Sequence, residues 1–138
     1  MVNVSSLFGQ IVSELFTAVN FDNLVAKWGA ERHAKGFRSK TQLISMLFCH
    51  LAGADSLREI VNGLSCCNGK LVHLGIKEPP RRSTLSYANN HRKAELFEEL
   101  FWRLSDHFRS TNFMGCRKKK FRFKNKLLSF DSTTISLC

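Results

Sequence analysis

No stretch of this chain reaches the roughly 18 to 20 consecutive apolar residues that cross a bilayer as a helix. The longest candidate, residues 43–52, is interrupted by Ser45 and His50, so no membrane span is expected. No basic segment precedes an apolar one near Met1, so no secretory signal is expected either. Cysteine pairs at metal spacing are absent too. Cys49, Cys66, Cys67, Cys116 and Cys138 form no C-x-x-C, and the adjacent Cys66 and Cys67 suit neither a zinc knuckle nor a mutual disulfide. The five histidines are scattered likewise, so reduced thiols in a cytoplasm are expected and a Cys/His metal site is not. Acidic residues are scarce: 11 Asp and Glu stand against 21 Lys and Arg, a net charge of +10. That imbalance points to a polyanionic partner, nucleic acid before an acidic membrane surface. The alternative is a basic protein with no such partner. No internal repeat is visible.

What is present suits a folded chain. A hydrophobic fraction of 43% with twelve Phe belongs to a globular protein rather than a disordered one. A chain of this length buries roughly two-thirds of its unfolded surface, enough for one domain or for one domain and the start of another. Val4, Leu7, Phe8, Ile11, Val12, Leu15, Phe16 and Val19 recur at helical spacing. Asp22 is placed to cap a short helix running through Trp28. Residues 31–39, polar and basic, read as a loop. Ser39 or Thr41 then caps a helix with Leu43, Ile44, Leu47, Phe48 and Leu51 on its apolar face. Ser56 and Glu59 hold capping-box spacing ahead of Ile60, Val61 and Leu64. Residues 66–80, punctuated by glycine and proline, read as a turn with one further helical turn. Ser83 is expected to cap a helix ending near His91, and the strongest amphipathic helix starts at Lys93 or Ala94, with Leu96, Phe97, Leu100, Phe101, Leu104 and Phe108 on one face. From Phe121 the period changes to strand-like alternation.

Three segments could carry chemistry. The helix around residues 81–93 is poor in apolar residues: Leu85 and Ala88 can face inward, while Arg81, Arg82, Ser83, Thr84, Ser86, Tyr87, Asn89, Asn90, Arg92 and Lys93 offer the donors and acceptors that base edges and phosphates require. It resembles the recognition helix of a helix-turn-helix module with a long connection before it. The alternative is a solvated helix face. In the run 117–126, Lys118, Lys119, Lys120, Arg122, Lys124 and Lys126 accompany Phe121 and Phe123. Such a face can neutralise backbone phosphates or can be a solvated edge strand. Asp131 stands alone in the apolar segment 127–138. A carboxylate on a buried strand is costly unless a metal or a fixed partner compensates it. A turn or cap role among Ser132, Thr133 and Thr134 is the alternative.

Taken together, four segments resemble the N-terminal part of a bacterial insertion-sequence transposase of the DDE class, typified by insertion sequence 4. They are Gln42-Leu-Ile-Ser-Met-Leu-Phe-Cys-His-Leu-Ala-Gly-Ala-Asp-Ser-Leu-Arg-Glu-Ile60, Lys70-Leu-Val-His-Leu-Gly75, Arg82-Ser-Thr-Leu-Ser-Tyr-Ala-Asn89 and Phe121-Arg-Phe-Lys-Asn-Lys-Leu-Leu-Ser-Phe-Asp-Ser-Thr-Thr-Ile135. The fold this implies is mainly α. A helical DNA-binding domain over 1–112, with a helix-turn-helix-like segment, is followed over 113–138 by a linker and the first β-strands of a truncated ribonuclease H-like domain.

The resemblance further implies a site of two Asp and a Glu holding two Mg²⁺ ions that activate water and then a DNA 3′-hydroxyl. Asp131 occupies the position of the first Asp, both catalytic and metal-ligating. The second Asp and the Glu do not appear before Cys138. The sequence is therefore expected to be a fragment ending inside an active site, binding no Mg²⁺ stably and inactive in strand cleavage by itself. The implied partner is double-stranded DNA at terminal inverted repeats, bound by a homodimer associated with the bacterial nucleoid. Two other readings compete: a stand-alone DNA-binding regulator that occupies element ends as a repressor, and a non-specific nucleic-acid-binding protein.

Overall fold

The computed structural model describes residues 7–32, 34, 36–67 and 69–111. The strands expected from Phe121 onward, the basic run 117–126, Asp131 and the boundary expected at 112 lie outside the described residues. Within them the protein is mainly helical and contains no strand. Six α-helices follow in order: α1 (Leu7–Val19), α2 (Phe21–Trp28), α3 (Ser39–Ala52), α4 (Leu57–Cys66), α5 (Arg82–His91) and α6 (Ala94–Ser110), with a 3-10 turn at Leu71–Leu74 between α4 and α5. Among the described residues, no helix is long and apolar enough to cross a membrane.

The helices close around two apolar clusters. Val12, Ile44, Cys49, Ile60, Leu64, Leu71, Ile76 and Leu85 form the first, which joins α3, α4, α5 and the 3-10 turn to one side of α1. Val19, Phe21, Leu24, Leu43, Leu96 and Leu100 form the second, among α1, α2, α3 and α6. Phe16 and Leu47 touch both clusters, so α1 and α3 are shared walls. The apolar period of α6 is borne out at Leu96 and Leu100, both buried, whereas Phe101 remains 60% exposed beside Trp102.

Helix boundaries follow local chemistry, with three departures from expectation. The α1–α2 junction turns at Asn20, which takes a left-handed backbone with φ 47° and ψ 63°, a conformation Asn tolerates better than most residues. Asp22 therefore sits inside the first turn of α2 and does not cap it. Helix α3 begins at Ser39 itself, after extended Arg38. In place of a side-chain cap, the Glu31 carboxylate accepts the Ser39 N–H at 2.9 Å, which supplies a missing partner at the positive end of the helix. The Ser39 hydroxyl is left buried with no hydrogen-bond partner. Helix α5 begins at Arg82 after extended Arg81, and no side chain caps it. Ser83 lies within the helix, because the chain arrives through extended Arg81 and turns helical at Arg82.

The Ser56 cap is as expected: its hydroxyl accepts the Glu59 N–H at 3.2 Å. The Glu59 carboxylate returns to the N–H of Asp55 at 2.9 Å rather than to that of Ser56 itself. Helices α3 and α4 come close at Gly63, where an added Cβ would stand 2.6 Å from Phe48 Cε1. That close approach brings α4 against α3, and α4 also packs against α5.

Candidate nucleic-acid interface

Helix α5 has a weak apolar anchor and a rich polar surface. Leu85 is fully buried and Ala88 is 7% exposed; these are the only buried residues of the helix. Residues three, four and seven positions apart share one helix face, so the inward face that starts at Leu85 continues through Ala88 and Asn89 to Arg92. Ser83, Ser86, Tyr87 and Asn90 fall on the outward side, and Arg82, in the first turn, stands at its border. Of these, Arg82, Ser83, Tyr87 and Asn90 are exposed and Ser86 is half-buried.

The outward side forms one wall of a groove of about 890 Å³ whose other wall is the start of α4. From α4 come Ser56, Leu57, Arg58 and Glu59; from α5 come Arg82, Ser83, Ser86, Tyr87, Asn90 and His91. The groove carries two cations, Arg58 and Arg82, and one carboxylate, Glu59, which accepts the Asp55 N–H. A second groove of about 510 Å³ runs along the opposite flank of α5, between Thr84, Tyr87, His91 and Arg92 and the loop carrying Arg32 and Phe37. Tyr87 and His91 belong to both grooves and form the crest between them. Their rings are stacked, with centroids 3.9 Å apart and planes 15° apart. His91 Nδ1 lies 2.9 Å from the Tyr87 carbonyl oxygen. A carbonyl only accepts, so Nδ1 carries a proton and Nε2 points away from that bond.

Two of the expected contact residues carry internal bonds. Arg92 donates to Gln42 Oε1 and to the Phe37 carbonyl, both at 2.8 Å, and its guanidinium lies over the Phe37 ring at 5.6 Å. Burial pushes its pKa below the ordinary arginine value, and the nearby Glu31 carboxylate opposes that shift. Asn89 accepts from Gln42 Nε2 at 2.7 Å and donates toward Met46 Sδ at 3.6 Å, although the residue as a whole remains exposed. Arg81 and Lys93 are exposed at the two ends of α5, and Thr84 is half-buried on the flank of the second groove. Lys118, Lys119, Lys120, Arg122, Lys124 and Lys126 lie outside the described residues.

Sequence reasoning did not single out Arg58 or His91. Arg58 is visible as a groove residue only once α4 and α5 are known to pair. His91 could have been found from its spacing, one turn after Tyr87 on the polar face. Among the described residues, no group of three His, Cys, Asp or Glu side chains could hold a metal ion.

The described residues form a small helical unit that presents one polar helix along a groove lined by two arginines and a glutamate. A family profile described as "Domain of unknown function (DUF4372)" matches residues 3–77, more than half of the sequence, and the chain belongs to that family. The matched stretch takes in α1 to α4 and the 3-10 turn, whereas α5 and α6 follow it. No curated protein and no solved structure matches the chain.

Proposed function

We propose that this domain binds double-stranded DNA, with α5 as the helix that enters the major groove, as the N-terminal part of a DDE transposase recognising the ends of an insertion sequence. The observation that carries the reading is the outward face of α5, where Arg82, Ser83, Ser86, Tyr87 and Asn90 share one groove with Arg58 of α4. A helix of 10 residues is about 15 Å long at 1.5 Å per residue. The major groove is about 12 Å wide and admits such a helix. Arginine pairs bidentately with guanine and asparagine with adenine, roles open to Arg82 and Asn90. Arg58, across the groove on α4, is placed for a backbone phosphate, the contact that sets register without reading sequence. Helices α4 and α5 would then act as a helix-turn-helix pair whose connection, residues 67–81, is longer than the usual turn of about three to four residues. The net charge of +10 and the four-segment resemblance support the same conclusion, and the terminal inverted repeats are the expected target.

The test is a binding titration of the chain against its element's terminal-repeat duplex and a scrambled duplex, from low to physiological salt. At least a tenfold preference for the repeat at physiological salt, about 1.4 kcal/mol, is expected. Arg82→Ala and Asn90→Ala should each reduce that preference. Equal binding to both duplexes, collapsing steeply with salt, would leave only phosphate neutralisation.

A further inference from the structure

Helix α5 is held at its C-terminal end by a chain of directional hydrogen bonds whose hub is buried. Gln42 on α3 is 3% exposed, and both ends of its amide are engaged: Oε1 accepts from Arg92 at 2.8 Å and Nε2 donates to Asn89 at 2.7 Å. The relay has one polarity. Arginine only donates, so the Gln42 oxygen must face it. The Gln42 nitrogen must then face the Asn89 oxygen, which turns the Asn89 nitrogen toward Met46 Sδ. The second arm of the Arg92 fork fixes the Phe37 carbonyl in the loop before α3.

Only Leu85 and Ala88 bury apolar side chains from this helix, and apolar burial is non-directional, so this short footing sets the roll of the helix only coarsely. Three fixed polar bonds at one end narrow it further. We propose that Gln42, acting through Asn89 and Arg92, is a positioning residue that sets the roll of α5 and so decides which side chains face DNA. The inference rests on the DNA-binding reading above and deepens it: Gln42 governs sequence preference without touching DNA, and Arg92 contributes through its fork rather than through its charge.

The experiment combines binding with amide hydrogen exchange. Gln42→Met, close in size, should abolish the tenfold preference for the repeat while leaving the slope of log affinity against log salt at the wild-type value. Arg92→Lys keeps the charge and loses the fork, and should lose as much preference as Arg92→Met. Without DNA, Gln42→Met should speed exchange at α5 amides at least tenfold and leave the amides of α1 and α6 unchanged, which shows that the variant still folds. Retained preference in Gln42→Met, or unchanged α5 exchange, overturns the proposal. So does an Arg92→Met slope reduced by about 0.9, the loss of one phosphate contact, with that slope restored in Arg92→Lys. Equal binding of the wild-type chain to both duplexes overturns the end-recognition reading; exchange at α5 still decides whether the lock exists.

Discussion

Replacing Gly63 by alanine sets two effects of similar size against each other, and the structure decides between them. In an exposed helix interior the change stabilises by about 1 kcal/mol through helix propensity. Here the new Cβ would stand 2.6 Å from Phe48 Cε1 and 2.8 Å from Cζ, well inside the roughly 3.5–4.0 Å of an ordinary carbon contact. Phe8 meets the ring edge-on, with centroids 6.0 Å apart and planes at 84°, and resists a swing toward that side. Overpacking of this kind costs about 1–3 kcal/mol. The expected net result is a loss of about 0–2 kcal/mol, read as a lower melting temperature at roughly 3–5 °C per kcal/mol for a chain of 138 residues. The diagnostic step repeats the substitution in a Phe48→Leu background, where the clash is gone and only propensity remains. There Gly63→Ala should raise the melting temperature, a reversal of sign that a double-mutant cycle reads directly. A rise in the wild-type background would refute the argument that α3 and α4 touch at this point.

Three further predictions concern the core and its polar ties. Leu85→Ala removes a fully buried side chain of α5 and should cost about 2–5 kcal/mol by denaturant unfolding; a cost below about 1 kcal/mol would show that α5 is not anchored there. Ser39→Ala removes a buried hydroxyl without a partner and should leave stability unchanged or raise it, because no hydrogen bond is lost; a clear fall in melting temperature would mean that the hydroxyl is bonded. Glu99, whose side chain is 19% exposed, ties α2 to α6. Hydrogen bonds from Lys27, then Arg103, then Trp28 hold its pKa down from 4.5 to about 2 against the opposing effect of burial. A carboxylate lowered in the folded state stabilises above its unfolded pKa, and that contribution fades as pH falls from about 4.5 toward about 2. Thermal melts across this window should lose stability faster in the wild type than in Glu99→Gln, with Trp28 emission changing in step; parallel curves would count against the tie.

How far this was legible in the sequence differs by element. Helix α6 and the Ser56–Glu59 start of α4 could be read because their determinants are local: apolar spacing and a cap with its partner three residues on. The start of α3 could not, because its N-terminal partner is Glu31, a side chain brought in by the intervening loop. The start of α5 differs from the expectation at Ser83 because a capping residue type is a weaker determinant there than the extended backbone at Arg81. At the groove, the outward face of α5 followed from the spacing of Leu85 and Ala88. The same spacing puts Asn89 and Arg92 on the inner face, yet their partner Gln42 lies on a different helix, and no local pattern marks it as buried. Arg58 needed the pairing of α4 with α5, which is tertiary information.

The sharing of α1 between two clusters has a consequence for how the polypeptide matures. Val19 in α1 must meet Leu96 and Leu100 in α6, partners synthesised far later. At about 5–20 residues per second, α1 waits for some seconds before the helix that completes its burial has been made. During that interval Val19 has only α2 and α3 to cover it. A nascent chain halted before residue 94 should therefore be a chaperone client, and one extended past α6 should be released.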